Sequence, residues 1–296
     1  MSNYKKGGLL FLIFIILFSI SILMYKMYVI RNMKFVENMN ENKRIPKIIW
    51  TFWDGDLTEL ITLCIDSWKR YNPTYEIIIL NKENIHQYLP TFNNNLKHAN
   101  DIRHYSDIVR INILEEYGGI WSDASIICYD SYDWILDVQQ ENDVEFVGYW
   151  INDDLDDSPV IENWFFAAVP NSTIITDWKN ELMKSQEYDS KNDYINYLLD
   201  NCNGEKIDDP NYLWMHVAMQ KILQENKNKY KYKLFSAHEG PFKYLADNNW
   251  ENKEAVNDLV NCVSENTCKL NYGSIIKFTG NQRGYIEKMD YKQLFD

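Results

Sequence analysis

The chain of 296 residues is short of the residues that break order, with 11 glycines and 7 prolines, too few for a low-complexity or linker-dominated protein. No segment repeats at a solenoid period, which excludes a stacked-repeat architecture. The five cysteines, Cys64, Cys128, Cys202, Cys262 and Cys268, contain no CxxC pair, so a structural zinc site is not expected. Positive charge is the other shortage. Lysine and arginine number 30 against 43 aspartates and glutamates, a net charge of −13. The deficit is uneven: residues 1–44 hold seven basic and two acidic residues, and the remainder holds 23 and 41, a net −18. So acidic a body disfavours nucleic acid as a partner, and a phosphate-bearing ligand would need locally placed positive charge, from a cation or an arginine.

What is present is globular in character, with 15% aromatic residues and enough length for one large α/β domain or two smaller ones. Leu9 to Tyr25 is apolar apart from Ser19 and Ser21, which as a helix would reach about 25 Å, near the lower limit for spanning a bilayer. No small-x-small cleavage site follows it, and Tyr25 and Tyr28 suit an interface, so an uncleaved anchor is expected rather than a signal peptide. The organisation expected is a short tail at 1–8, a transmembrane anchor at 9–25, a polar stalk at 26–44 and a folded domain at 45–296. Basic residues flank the apolar run on both sides, so they do not orient it. Asn171-Ser172-Thr173 is a glycosylation triplet compatible with a lumenal domain. Cys262 and Cys268 could close a loop disulfide in that setting, while Cys64 and Cys128 lie in apolar runs that suit burial.

Within the domain, the first strand is expected at Lys47 to Phe52, a helix from about Thr58 to Tyr71 that stops before Pro73, and a second strand at Tyr75 to Leu80. Strand, helix and strand in that order predict parallel pairing in an α/β sheet. Further strands are expected at Val144 to Trp150, Asn163 to Val169 and Ser274 to Phe278. Helices are expected near Ser172 to Lys184, Asp193 to Asp200 and Tyr212 to Asn226. The acidic run Asp153 to Asp157 reads as a solvated loop.

The most informative stretch is HANDIRHYSDIVRINILEEYGGIWSDASII, His98 to Ile127. Asp107 and Arg110 sit three apart, so on a helix they share one face. Gly118 and Gly119 end that helix, because glycine accepts the positive φ that closes a last turn. Ile120 and Trp121 then form a short buried strand that delivers Asp123 at its end, the edge where open α/β sheets bind ligands. From spacing alone, Asp107 and Arg110 could equally be a helix-surface ion pair worth tenths of a kcal/mol, and Asp123 a turn cap.

SDIVR followed by LEEYGGIWSDAS resembles the SD-x-x-R and YGG-I-[YW]-x-D-x-D signature of glycosyltransferase family 32 and of the related capsular polysaccharide synthesis proteins, the second group more closely. IPKIIWTFWDG, SWKRYNPTYEIIIL, ENWFFAAVPNSTIITDW and IIKFTG echo it in order, so the resemblance spans roughly Ile45 to Arg283. It implies a GT-A-like, Rossmann-type mixed sheet flanked by helices, and a transferase that moves a hexose from a nucleotide-diphosphate sugar to a glycan or lipid-linked acceptor with retention of anomeric configuration. A membrane-tethered enzyme of the secretory pathway would place its domain in a lumen.

By the same resemblance Asp107 and Arg110 hold the donor sugar, and Asp123 holds the diphosphate through a divalent cation, Mn²⁺ or Mg²⁺. Trp53 would stack on the donor base, where one aromatic platform can contribute about 1–3 kcal/mol; the alternative is an ordinary buried tryptophan. Asn163, with Glu162, would face donor sugar or acceptor. His216, His238 and Arg283 are candidate phosphate or metal partners. One departure matters: the second motif aspartate falls on Ser125, which can offer a metal a hydroxyl but no charge. Two rival functions stay open at this point. One is an inactive glycan-binding scaffold, motivated by Ser125; the other is a phosphohydrolase using Asp123 as nucleophile, against which the missing acid two positions on counts.

Overall fold

The computed structural model describes residues 24–26, 44–98, 100–151, 157–265, 267–268, 273–289 and 291–295. The chain divides into two units, Met1–Lys43 and Arg44–Asp296. In the first unit, only Met24 to Lys26 are described, as helix. The membrane anchor and the single-pass lumenal placement expected from it are corrected here: among the described residues no helix is long and apolar enough to cross a membrane. Of the apolar run itself, residues 9–23 lie outside the described residues, as do residues 27–43 of the stalk.

The second unit is built on a six-stranded mixed sheet of order β2-β1-β3-β6-β5-β7, flanked by helices. Its strands are β1 (Ile48–Phe52), β2 (Glu76–Leu80), β3 (Gly119–Ser122), β5 (Phe146–Trp150), β6 (Ile161–Ala168) and β7 (Tyr232–Ser236). β1 pairs in parallel with β2 and β3, and β5 with β7, while β6 runs antiparallel to both of its neighbours. The ends of β1, β3, β5 and β7 therefore share one edge with the start of β6. β4 (Ile126–Cys128) and β8 (Ile275–Lys277) form a separate antiparallel ribbon just beyond β3.

β1 and β3 are buried at every position, as expected of strands covered on both faces. Ile49, Ile120, Ala167 and Val147 follow one another across one face and join the core beneath helix α1 (Glu59–Tyr71). Trp50, Trp121 and Phe166 line up across the other, toward helix α2 (Ile102–Tyr117). α2 packs on α4 (Thr173–Met183), and α4 on α6 (Trp214–Glu225); α3 (Asp133–Asn142) lies against β5 and β7, and α5 (Lys191–Asn201) against α6. α7 (Asn252–Ser264) and α8 (Gly280–Ile286) pack together near the C-terminus. Cys262 and Cys268 form a disulfide at the end of α7, while Cys64 and Cys128 are buried free thiols.

The joint between α2 and β3 sets the site. Asp101 caps α2 by accepting from the Arg103 amide at 2.9 Å, and Gly118 ends it with its amide bonded to the Leu114 carbonyl. Gly118 and Gly119 have φ of 61° and 99°. A Cβ on Gly118 would stand 2.7 Å from the Ala168 carbonyl oxygen, and one on Gly119 would stand 2.8 Å from that of Ile48. Glycine is thus required twice over, by backbone conformation and by the closeness of two neighbouring strands. Trp50 fastens the joint by donating its indole N–H to the Gly118 carbonyl, which makes it a core residue.

Candidate active site

Asp107 and Arg110 lie one turn apart on the face of α2 that meets the sheet, and Asp123 follows β3 at the sheet edge. The three side chains converge. The Arg110 guanidinium is 3.3 Å from Asp107 Oδ1 and 3.6 Å from Asp123 Oδ1, and it lies over the Trp121 ring, 4.9 Å from its centre. It also donates to the Asn163 carbonyl and to the Ser106 hydroxyl. Asn163 closes the group from β6, its amide donating to Asp107 Oδ1 at 3.0 Å.

The two carboxylates are in unlike surroundings. The Asp107 side chain is 7% exposed, and besides its ion pair with Arg110 it accepts from the Asn163 amide and, at 2.8 Å, from the Trp214 indole. Burial disfavours its charge and raises its pKa above the ordinary carboxyl value, against the pull of Arg110 and the Trp214 N–H. The Asp123 side chain is 27% exposed and accepts from the Trp121 indole at 3.0 Å. Burial works on Asp123 in the same direction, but Lys277 and then Arg110 outweigh it and hold its carboxyl below the usual range.

Lys277 was not among the expected site residues. The ribbon brings it in: β8 pairs with β4 so that Lys277 lies opposite Ile126, and the Phe278 amide bonds the Ser125 carbonyl. Its ammonium donates to Asp123 Oδ2 at 3.0 Å and to the Ser125 hydroxyl at 2.8 Å. Ser125 in turn donates its proton to the Phe278 carbonyl at 2.8 Å. Burial lowers the pKa of Lys277, Asp123 opposes that, and Arg283 and Arg110 add to it as like charges. The signal in the sequence was a single lysine inside the apolar run Ile275-Ile276-Lys277-Phe278, since a buried ammonium has to find a partner.

This donor set does not fit the divalent cation that the resemblance implies. The Ser125 hydroxyl is committed as donor and as acceptor, and an ammonium already bridges it to Asp123. Among the described residues no group of three or more histidine, cysteine, aspartate and glutamate side chains is placed to hold a metal ion.

Among the described residues Trp53, His216 and His238 make no hydrogen bond or ion pair with this cluster. Trp53 stands one residue past β1 on the same sheet edge, half-buried, its indole donating to the Asp56 carbonyl at 3.0 Å. His216 is buried with Nε2 3.5 Å from Glu162 Oε2 and, among the described residues, no hydrogen-bond partner for Nδ1. His238 packs edge-on against Trp250. Of the acidic run, residues 153–156 lie outside the described residues; Asp157 is exposed. A recess of about 240 Å³ lined by residues such as Leu223, Asn226 and Tyr232 lies at the start of β7, the opposite edge of the sheet from Asp123.

No curated protein matches the chain. Among solved structures it is similar to the PaToxG glycosyltransferase, with 15% identity, a TM-score of 0.40 and coverage of 92% of this chain and 97% of that one. It is also similar to the galactosyltransferase LgtC in complex with donor and acceptor sugar analogues, with 9% identity, a TM-score of 0.42 and coverage of 79% and 87%. A third is the glycosyltransferase GlyE of Streptococcus pneumoniae TIGR4, with 11% identity, a TM-score of 0.43 and coverage of 85% and 62%. A family model described as capsular polysaccharide synthesis protein matches residues 22–289, so the chain belongs to the capsular polysaccharide synthesis protein family.

Proposed function

We propose that the chain is a glycosyltransferase that moves a hexose from a nucleotide-diphosphate sugar to a glycan or lipid-linked acceptor hydroxyl. Family membership supports the reaction class, and one observation carries the assignment to a site: at the ligand-binding edge of the sheet, Arg110 and Lys277 converge on the partly open Asp123. In a domain with a strong negative balance, this is a place where positive charge is collected.

In this reading Asp107 is a positioning residue. It pairs ionically with Arg110 and its oxygens accept from Asn163 and Trp214, so it holds the guanidinium and the Asn163 amide rather than meeting the sugar. Asp123, the most open of the four charged groups, offers an oxygen to a sugar hydroxyl while anchoring the two cations. Trp53 provides a stacking face for the base from the neighbouring strand end. The bond between the anomeric carbon and the β-phosphate oxygen breaks, its electron pair stays on that oxygen, and the acceptor hydroxyl bonds the same carbon and passes its proton to the departing phosphate. With Asp107 given to Arg110 and Asn163 and Asp123 to a sugar hydroxyl, neither carboxylate is assigned as a covalent nucleophile, and front-face attack with retention is the expected course. Catalysis then rests on positioning and on stabilising the charge that develops on the diphosphate.

The second reading, a glycan-binding scaffold without transfer activity, is favoured by the engaged Ser125 hydroxyl. Incubating the protein with a panel of nucleotide sugars and candidate glycan acceptors, with Mn²⁺ or with chelator, separates the two. Acceptor-stimulated release of a nucleoside diphosphate that is abolished in Asp123→Ala supports the transferase. Glycan binding with no release from any donor leaves the scaffold, and release of inorganic phosphate from simple esters would point to a hydrolase.

A further inference from the structure

We infer that Lys277 takes the place of the divalent cation, so that donor binding and transfer run without a metal ion, the ammonium of Lys277 and the guanidinium of Arg110 together receiving the charge of the leaving diphosphate. The inference rests on the transferase reading and specifies how its diphosphate is held.

Charge balance carries the argument. A motif with two carboxylates has a charge of −2 and is made neutral by a divalent cation. Here Asp123 contributes −1, Ser125 contributes nothing and Lys277 contributes +1, so the same position is neutral as built. The loss of the acid at Ser125 and the presence of the ammonium are complementary, because a second carboxylate beside Lys277 would leave the position negative again. A metal ion approaching Asp123 would meet Lys277 at 3.0 Å from one carboxylate oxygen and Arg110 at 3.6 Å from the other. Both cations would repel a metal ion that approached either oxygen.

The backbone holds the arrangement in place. The pairing of Ile126 with Lys277 and the bond from the Phe278 amide to the Ser125 carbonyl fix the lysine beside the loop that follows β3. The Tyr244 hydroxyl anchors the Lys277 carbonyl at 2.8 Å. Among the described residues Asp123 and Ser125 engage two of the three ammonium donors, and the third is the one that would meet a phosphate oxygen. Arg283 acts on Lys277 as a like charge, and its buried Nε has no hydrogen-bond partner among the described residues. A compact ammonium with the Arg110 guanidinium on the other oxygen of the same carboxylate suits a diphosphate, which spreads its negative charge over several oxygens. As the bond to the anomeric carbon breaks and its electron pair settles on the β-phosphate oxygen, these donors stabilise the new charge without any change in their own protonation.

Calorimetric titration of the full chain with UDP, GDP, ADP and dTDP as probes, in EDTA and again in Mn²⁺ or Mg²⁺, tests this. The expected result is that the nucleotide that binds does so with the same affinity within about twofold under all three conditions. Lys277→Met should weaken that binding at least tenfold and Lys277→Arg should retain most of it, with thermal unfolding recorded for both. Binding that is tenfold or more tighter with a metal than with EDTA overturns the inference while leaving the transferase reading standing. So does a folded Lys277→Met protein that binds as the wild type does. Absence of binding by every probe under every condition, together with no release from any nucleotide sugar, overturns the transferase reading and this inference with it. If Lys277→Met does not fold, the comparison of EDTA with metal on the wild type and Lys277→Arg still decides.

Discussion

Asp107 and Asp123 share one arginine and lie in opposite circumstances. Asp107 is closed into the layer between α2, β6 and α6, its oxygens bonded to protein donors and its pKa raised by burial. Asp123 sits at the sheet edge, more than a quarter exposed, with its pKa held low by Lys277 and Arg110. Removing both groups from water has a cost, and in one case the fold bears it to fix geometry, in the other to gather cations at an opening. The difference separates a carboxylate that builds the site from one that meets what enters it.

The largest expected effect breaks the first half of this comparison. Asp107→Ala leaves Arg110, the Asn163 amide and the Trp214 indole without their shared partner in a buried setting. Losing one member of a buried ion pair costs about 3–5 kcal/mol, which denaturant unfolding would register as a large fall in midpoint at unchanged slope. Asp123→Ala should cost much less stability and remove nearly all transfer, by about a hundredfold or more if it positions the groups that receive developing charge. Should the two substitutions have the same profile, both destabilising or both silent in folding, the division of roles is wrong.

Much of Asp107 and Asp123 was legible because the unit that carries them is continuous. Helical spacing from Asp107 to Arg110, the paired glycines and the short apolar strand are all local, and the structure places them as the chain suggested, with the glycine requirement sharpened by the carbonyls of Ala168 and Ile48. The partners of that unit were not local. Trp214 reaches Asp107 across 107 positions and Lys277 reaches Asp123 across 154, and nothing in periodicity links residues so far apart. Ser274 to Phe278 was expected as a buried strand, yet its pairing with β4 rather than with the main sheet is what brings the lysine to the site. β7 went unforeseen because Tyr232 to Ser236 is a partly exposed edge strand flanked by lysines, without clear alternation. α7 has Ala255, Val256, Leu259 and Cys262 buried on one face, a pattern that was legible and that none of the expected helices covers. The apolar run at 9–25 marks the opposite error, a strong local signal read as an anchor that no described helix supports.

A smaller effect sharpens the open half of the site. Trp53→Ala should weaken binding of the matching nucleoside diphosphate by about 1–3 kcal/mol, with Trp53→Phe intermediate and thermal stability little changed, if its half-buried ring stacks on the base. Equal affinity in all three proteins, measured by titration calorimetry, would make Trp53 a core residue that happens to stand near the opening. Such a result would confine the ligand to the side of Asp123 nearer the ribbon.

The smallest effect is the one that tests the comparison most directly, because it concerns the sign of a slope. An Asp whose folded pKa is lowered contributes stability above the unfolded value of about 3.9, and that contribution is lost as pH falls through the lower folded value. Asp123 belongs to this class. An Asp whose folded pKa is raised does the reverse: its favourable contribution is full below about pH 3.9 and is lost as pH rises through the higher folded value. Asp107 belongs to that one. Unfolding free energies of wild type, Asp107→Asn and Asp123→Asn measured between neutral pH and about pH 2 should therefore diverge in opposite senses. Relative to wild type, Asp107→Asn should become less favourable as the solution is acidified through the raised folded value and toward about pH 3.9, because only the wild type gains from protonating a buried carboxylate. Asp123→Asn should close the gap to wild type only below about pH 3.9, as the pH falls through the lowered folded value and the wild-type carboxylate loses its ion pairs. Parallel curves for the two variants would mean that the shared arginine, and not the contrast between closed and open surroundings, governs both groups.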